Sequence, residues 1–333
     1  MSIIPGTIKI KASAAYAIGL LLLFSIAVKI FSNPDYLVLI RNVSFSQVII
    51  SLLIGFSLFL INGYILAYLV KQHYQTTIKR IDMVVLPFMM HLFSYIIPFR
   101  GGLLFSALFL KIKYDIKGTE GIAIGVFTLI ISLIITGLCG IYFAVRNGML
   151  CSMWSAVSIL FILSPLVVGI LGRLVRGIEM KPGSLPDRIK TIIYSISISS
   201  QRLLNDYRRS LVIFFLTIAS TIGYVVFLYF TAFILQMNTT IDKIIMFALM
   251  MRLSTIVRLA PGNLGVQEFL SGGAYYMLGG SLNDGLAMAL FVRFISLMLT
   301  FFIGTAGLLM NMNRITLQEL KRLWTETKAS CGR

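Results

Sequence analysis

Runs of about 20 consecutive apolar residues recur along this chain, each long enough to cross the hydrocarbon core of a bilayer as a helix. Six are uninterrupted: 12–31, 48–70, 121–143, 150–171, 211–235 and 285–310. Composition fits, since 12% of residues are charged and the mean hydropathy is +0.92, against roughly 25% charged in soluble domains. The chain is therefore expected to be an all-α polytopic membrane protein with six full transmembrane helices. The run at 12–31 is too long for a signal-peptide core and no A-x-A site follows it, so it is read as an anchor. Cys139, Cys151 and Cys331 have no metal-binding spacing and do not fix a redox compartment.

A net charge of +17 could mean nucleic acid, so its distribution decides. Positive residues favour cytoplasmic segments near span ends. With the N-terminus inside, 21 of the 29 basic residues fall on the cytoplasmic side and four (Lys29, Arg41, Arg146 and Lys243) on the outer side. The remaining four, Arg100, Arg252, Arg258 and Arg293, lie within apolar segments. The charge reads as topology, reinforced by anionic lipid at the inner leaflet, and not as a nucleic-acid footprint. Both termini are expected in the cytoplasm of a bacterial-type plasma (inner) membrane.

Two further apolar stretches are broken. "PFRGG" interrupts 83–110 with Pro98, Gly101 and Gly102, and "PGNLG" interrupts 244–279 with Pro261, Gly262 and Gly265. Proline removes a backbone donor and glycine tolerates reversal, so neither stretch reads as one helix. Basic residues flank both ends of the first, which places its ends on the same inner side. It is expected to be a re-entrant hairpin entering from the cytoplasm. The second lies between the outer ends of two spans and is expected to enter from outside. Non-helical backbone at that depth must be covered by protein or line a wet cavity, so the two tips should meet.

The halves resemble each other. "GIAIGVFTLIISLIITGLCG" (121–140) and "GLAMALFVRFISLMLTFFIG" (285–304) share eight of 20 positions, among them Gly121/Gly285, Ser132/Ser296 and Thr136/Thr300. "MMHL" (89–92) and "MMRL" (250–253) precede the two breaks, and Pro98–Gly102 and Pro261–Gly265 have equal spacing. Under the expected topology corresponding elements run oppositely through the bilayer, which is an inverted-topology repeat. Residues 1–143 form the first repeat and 144–310 the second, with 311–333 a cytoplasmic tail. The polar connection 172–210 contains a segment beginning near Ser184 and Pro186. Its Ile189, Ile192, Ile193, Ile196, Leu203 and Leu204 fall roughly on one face. It is expected to be an amphipathic linker helix on the inner leaflet.

"PGNLGVQE" after a broken apolar segment, with "PFRGG" in the first half, resembles the flippase-like membrane family that includes the transmembrane region of lysylphosphatidylglycerol synthases. Pro261, Gly262, Leu264, Gly265 and Glu268 match its second motif. The first motif departs from it: Leu103, Leu104 and "FSALFLK" stand where the family has an acid and then an arginine. The first half-site is thus expected to be weaker or tuned to another headgroup. No counterpart of the family's cytosolic aminoacyl-transfer domain is read in this sequence. The resemblance implies translocation of a lipid or lipid-linked substrate and not synthesis.

Glu268 is the one acid read as lying in the membrane interior, where an ionisable group is expected to be paired or on a substrate path. A buried ion pair with Arg258 or Arg252 and a polar pocket lining are both open. The candidate substrate-binding set is Arg100, Arg252, Arg258, Glu268 and Arg293, with Asn263 and Gln267 as local turn bonds or ligands. Arginine's planar fork suits phosphate, and half-helix N-termini add donors. His91 is read as a packed polar residue. No G-x-S-x-G, H-E-x-x-H, Walker loop, D-x-D or Cys/His metal spacing occurs, so no catalytic residue, metal or cofactor is expected. The expected partner is an anionic lipid headgroup or lipid-linked phosphate. The alternative is a non-transporting scaffold bound to envelope-biosynthesis proteins; a membrane glycosyltransferase would want more acids on the outer side.

Overall fold

The computed structural model describes residues 43–96, 101–146, 148, 153–177, 185–256, 261–263 and 265–311. Every secondary-structure element among them is helical. Four helices are long and apolar enough to cross a membrane: α1 (Phe45–Tyr74), α4 (Gly118–Arg146), α8 (Tyr207–Ile234) and the continuous segment Leu282–Asn311. These match the runs expected at 48–70, 121–143, 211–235 and 285–310. The last comprises α11 (Leu282–Leu299), a π turn (Thr300–Gly304) and α12 (Thr305–Asn311). The run expected at 12–31 and the tail at 312–333 lie outside the described residues.

Helix ends follow local chemistry. Ser44 caps α1, accepting from the Gln47 backbone N–H at 3.4 Å while the Gln47 side chain accepts from the Ser44 N–H at 2.9 Å. The other end of α1 leaves carbonyls unpaired, and Arg209 Nη1 donates to the Gln72 carbonyl at 2.8 Å. Ser281 caps α11 by accepting from the Asp284 N–H at 2.9 Å.

The run at 150–171 differs from a straight span. It forms α5 (Met153–Ile162) and α6 (Ser164–Gly177), bent by 57° at Leu163. Pro165 supplies the cause, since it has no N–H to continue the helix and its ring crowds the preceding turn. α5 packs on α4, and α6 packs on α7 (Leu185–Asn205), the helix of the polar connection. The α7 face against α6 is its serine face: Ser197 Oγ donates to the Val168 carbonyl at 2.9 Å and stands where a side chain on Gly172 would be. Ile193, read on the apolar face of this helix, is exposed and does not pack on α6. Between apolar helices in lipid, small residues permit the close approach that dispersion needs.

The two broken stretches form helix pairs, α2 (Arg80–Ile96) with α3 (Gly101–Tyr114), and α9 (Ile241–Ile256) with α10 (Val266–Met277). At 1.5 Å per residue these helices measure about 18–26 Å, short of the ~30 Å hydrocarbon core. Each pair packs onto the span that follows it, α3 on α4 and α10 on α11. The shared glycines make both contacts: a Cβ on Gly121 would stand 2.8 Å from Ala107 Cα, and one on Gly285 2.8 Å from Gly272 Cα. Other contacts come in matching sets. α1 packs on α2 and on α11, while α8 packs on α9 and on α4. α2 reaches the π turn and α9 reaches α4, and α1 and α8 pack on each other. Among the described residues the buried apolar side chains form two large cores and a smaller cluster of Phe143, Met246, Leu249, Met250 and Ala274. One large core contains Phe59, Phe88, Phe247 and Met288, and the second large core contains Leu69, Leu86, Phe109 and Phe127.

Candidate functional site

The second break determines the site. Pro261–Asn263 is one 3-10 turn, and Gly262, Asn263 and Gly265 all have φ between 55° and 78°. Such backbone suits glycine, and asparagine next best. Asn263 Nδ2 donates to the Ser254 carbonyl at 2.6 Å, tying the turn back to α9. The new helix α10 then leaves its first N–H groups without partners. Glu268, three residues on, folds back so that its Oε2 accepts from the Gly265 N–H at 2.8 Å.

The other carboxylate oxygen, Oε1, pairs with Arg293 Nε from α11. Glu268 is fully buried and Arg293 is 7% exposed, so the pair sits well out of solvent. Sequence reasoning had Arg258 or Arg252 as the partner. Arg252 turns elsewhere, and Arg258 lies outside the described residues, as does Arg100. Position 293 is correct because the α10–α11 packing sets Arg293 beside the first turn of α10. The guanidinium also donates through Nη2 to Gln267 Oε1 at 3.0 Å and, at 3.4 Å, to the Asn263 carbonyl. Nη1 of Arg293 is buried without a hydrogen-bond partner among the described residues. Gln267 thus binds Arg293 through its side-chain oxygen and reaches Met251 Sδ through Nε2 at 3.1 Å, while Asn263 meets Arg293 through its backbone carbonyl.

Arg252, on α9, crosses to α4. Its Nη1 donates to Ser132 Oγ at 2.6 Å, and its guanidinium carbon lies 5.8 Å from the centre of the Tyr224 ring, within cation–π range. Two cavities meet at this arginine. The first, about 270 Å³, is walled by α1, α2, α8, α9, α11 and the second break, with Asn62, Tyr224, Gln267, Arg293 and Ser296 on its wall. The second, about 310 Å³, lies toward α3 and α4, with Ser106, Thr128, Ser132 and Thr217 on its wall. Phe59, Asn62, His91, Ser94, Ser220 and Arg252 line both. Glu268 lines neither. It lies behind Arg293 and acts on the cavity only through it.

The two broken pairs touch here. A side chain on Gly262 would overlap the Tyr95 ring, 2.1 Å from Cδ1, so the last turn of α2 rests on the second break. His91 meets the Phe59 ring edge-on at 4.9 Å and faces the cavities, beyond the packing role expected for it. Asn62, Ser132 and Tyr224 were missed as site residues. A lone amide in the middle of the apolar run 48–70 was the signal for Asn62; the hydroxyls carried none, because serines and tyrosines recur throughout the apolar runs of this chain. Among the described residues no group of three or more His, Cys, Asp or Glu side chains could hold a metal ion.

A second buried polar cluster stands apart from the cavities. Asp82, at the start of α2 and fully buried, accepts from Lys113 Nζ at 2.6 Å and from the Tyr114 hydroxyl. Lys113 Nζ also donates to Asn311 Oδ1 at 2.7 Å. The start of α2, the end of α3 and the end of α12 are joined there. Glu268 is therefore not the only deeply buried acid: Asp82, one residue before the apolar stretch 83–110, is fully buried as well.

Comparison with known proteins places the chain. The family described as the lysylphosphatidylglycerol synthase TM region matches residues 12–304. No curated protein and no solved structure matches.

Proposed function

Since the chain belongs to the lysylphosphatidylglycerol synthase TM region family, we propose that it moves an anionic lipid, or a lipid-linked envelope precursor, between the leaflets of the plasma membrane. The observation that carries this reading is the pair of cavities that share Arg252, Asn62 and His91 inside an otherwise apolar helical body. A headgroup entering hydrocarbon loses hydration that only polar groups along its path can replace. Arg252 supplies charge and a planar fork suited to phosphate. Arg293 holds the adjoining wall, and Glu268 keeps Arg293 in place as a positioning residue. The chain acts as a translocator with no catalysis of its own.

An inverted repeat supports the same reading. The matching contacts of α1–α4 and α8–α11 are those that two halves related by a two-fold axis in the membrane plane would make. Under that relation His91 of "MMHL" corresponds to Arg252 of "MMRL", and both line both cavities. Ser132 corresponds to Ser296, and each lines one cavity. The pairs α2–α3 and α9–α10 are then re-entrant hairpins from opposite faces, residues 1–143 and 144–310 are the repeats, and both termini are cytoplasmic. The helices too short to cross, and the Tyr95–Gly262 contact between the hairpins, favour this arrangement.

Leaflet exchange in reconstituted vesicles tests it. Vesicles of phosphatidylcholine with a trace of fluorescent phosphatidylglycerol or of a fluorescent polyprenyl phosphate should exchange label faster with the protein than without it. Arg252→Gln should cut that rate about tenfold or more while leaving the protein folded. Exchange no faster than in protein-free vesicles for every anionic lipid would overturn the proposal.

A further inference from the structure

We propose that the part of α2 beyond Pro87 is a hinged partition between the two cavities, and that it moves while α9 stays fixed. This rests on the translocation reading above and names the moving part within it. The first observation is where that segment lies. His91 and Ser94 line both cavities, Met90 the second alone and Tyr95 the first alone. A shift of residues 88–96 therefore reshapes both cavities at once and alters the passage between them. The second observation is in the helix itself. Pro87 lies inside α2 and has no N–H, so the Met83 carbonyl lacks its helical donor and the two halves of α2 are joined less firmly. Aligning "MMHL" with "MMRL" sets Ala248 of α9 opposite Pro87, and alanine is the residue that best continues a helix.

The third observation is the neighbour on which each helix packs. α2 lies against the π turn Thr300–Gly304, whereas α9 lies against α4. The α4 residues that match the π turn, 136–140, are regular α-helix, and there Thr136 Oγ1 donates to the Ser132 carbonyl at 2.7 Å. Thr300 Oγ1, at the equivalent place, is buried with no hydrogen-bond partner among the described residues. A π turn is a rare backbone that recurs at functional sites. Glycines face α2 on both sides of Pro87. A Cβ on Gly63 of α1 would stand 2.1 Å from the Met83 carbonyl oxygen, and one on Gly304 3.1 Å from that of Phe88. Beyond Pro87, Phe88 stacks on Phe59 at 4.3 Å and Phe93 on Phe105 at 4.0 Å. Smooth backbone and flat rings let a packed helix slide, and the weak turn at Pro87 absorbs the change of direction. The end of α9 is pinned to α4 by Arg252 on Ser132, and to the second break by Asn263 Nδ2 on the Ser254 carbonyl, each at 2.6 Å.

Hydrogen–deuterium exchange of the whole protein in phosphatidylcholine nanodiscs tests the hinge without any lipid substrate. Amides of residues 88–96 should be protected at least tenfold less than those of residues 249–256, which border the same cavities. Equal protection, or less in 249–256, overturns the proposal. Pro87→Ala supplies the missing N–H, so it should raise protection of 88–96 about tenfold and leave the thermal midpoint level or higher. Leaflet exchange of fluorescent phosphatidylglycerol should then slow severalfold; a wild-type rate beside raised protection overturns the role in transport. Pro87→Gly supplies the same N–H and removes the same ring but keeps a pliable position, so it should retain more exchange than Pro87→Ala. Equal loss in both makes Pro87 a piece of cavity wall and overturns the hinge. If neither variant inserts, the wild-type protection ratio alone decides. A wild type that exchanges no anionic lipid sinks the translocation reading, and the protection ratio still judges the hinge.

Discussion

The two broken helix pairs solve the same problem with opposite placements of charge. In α2–α3 the buried ion pair, Asp82 with Lys113, lies at the open ends of the pair and binds the end of α12 through Asn311. In α9–α10 the buried ion pair, Glu268 with Arg293, lies at the break itself. The open end of α9–α10 is held by weaker, exposed contacts, Lys243 Nζ to the Gly279 carbonyl at 3.1 Å and Arg146 to Asp242 at 3.2 Å. A charge pair at the ends of a helix pair fixes where it begins and finishes. One at the break fixes the backbone that faces the cavity. The first is therefore expected to govern assembly, and the second to govern both assembly and the proposed lipid path.

Arg293→Ala should break this contrast most severely. It leaves the fully buried carboxylate of Glu268 without its cation. Removing one partner of a buried pair costs about 3–5 kcal/mol. The thermal midpoint in detergent should fall sharply, and leaflet exchange should vanish even in protein that remains folded. Glu268→Gln, which can still accept from Gly265, should do less on both measures. Equal stability of Arg293→Ala and wild type would mean that the break is held by its other bonds alone.

Asp82→Asn should be milder and of a different kind. Lys113 keeps its bond to Asn311, so the loss is that of a charge-assisted hydrogen bond, about 1.5–3 kcal/mol. Denaturation should register it, whereas the exchange rate per folded molecule should match the wild type. A selective loss of exchange at normal stability would erase the division of labour between the two clusters.

The sequence made these pairs legible to different degrees. Proline and glycine in "PFRGG" and "PGNLG" mark the breaks, because backbone chemistry is local. Glu268 and Arg293 each stood out as ionisable residues in apolar surroundings, but their pairing did not. They lie on two consecutive helices, and only the packing of α10 on α11 fixes which arginine arrives. Asp82 was hidden for the opposite reason. It sits one residue outside the apolar run, where a charge normally meets water, and it is buried because Lys113, Tyr114 and Asn311 converge on it from distant positions. The bend at Leu163 was signalled by Pro165 but masked by the unbroken hydropathy of 150–171.

Gly262→Ala gives the smallest expected effect, and it probes the contact between the two pairs. Gly262 has φ of 58°, where a side chain costs about 1–2 kcal/mol. The added methyl would also overlap the Tyr95 ring, which has to turn aside. A ring at the end of a side chain can yield where backbone cannot, so the protein should fold with a modest drop in thermal midpoint. Tyr95 lines the first cavity, however, and its displacement reshapes the wall that α2 contributes. Exchange should therefore slow severalfold, more than the stability change alone explains, because the folded fraction barely moves. Tyr95→Leu in the same background removes the overlap while keeping an apolar contact, so it should restore the thermal midpoint. If exchange recovers with it, the ring's position controls the path. If the midpoint recovers and exchange does not, the Tyr95 side chain itself contributes to the site, and the first pair supplies more than a cover for the second.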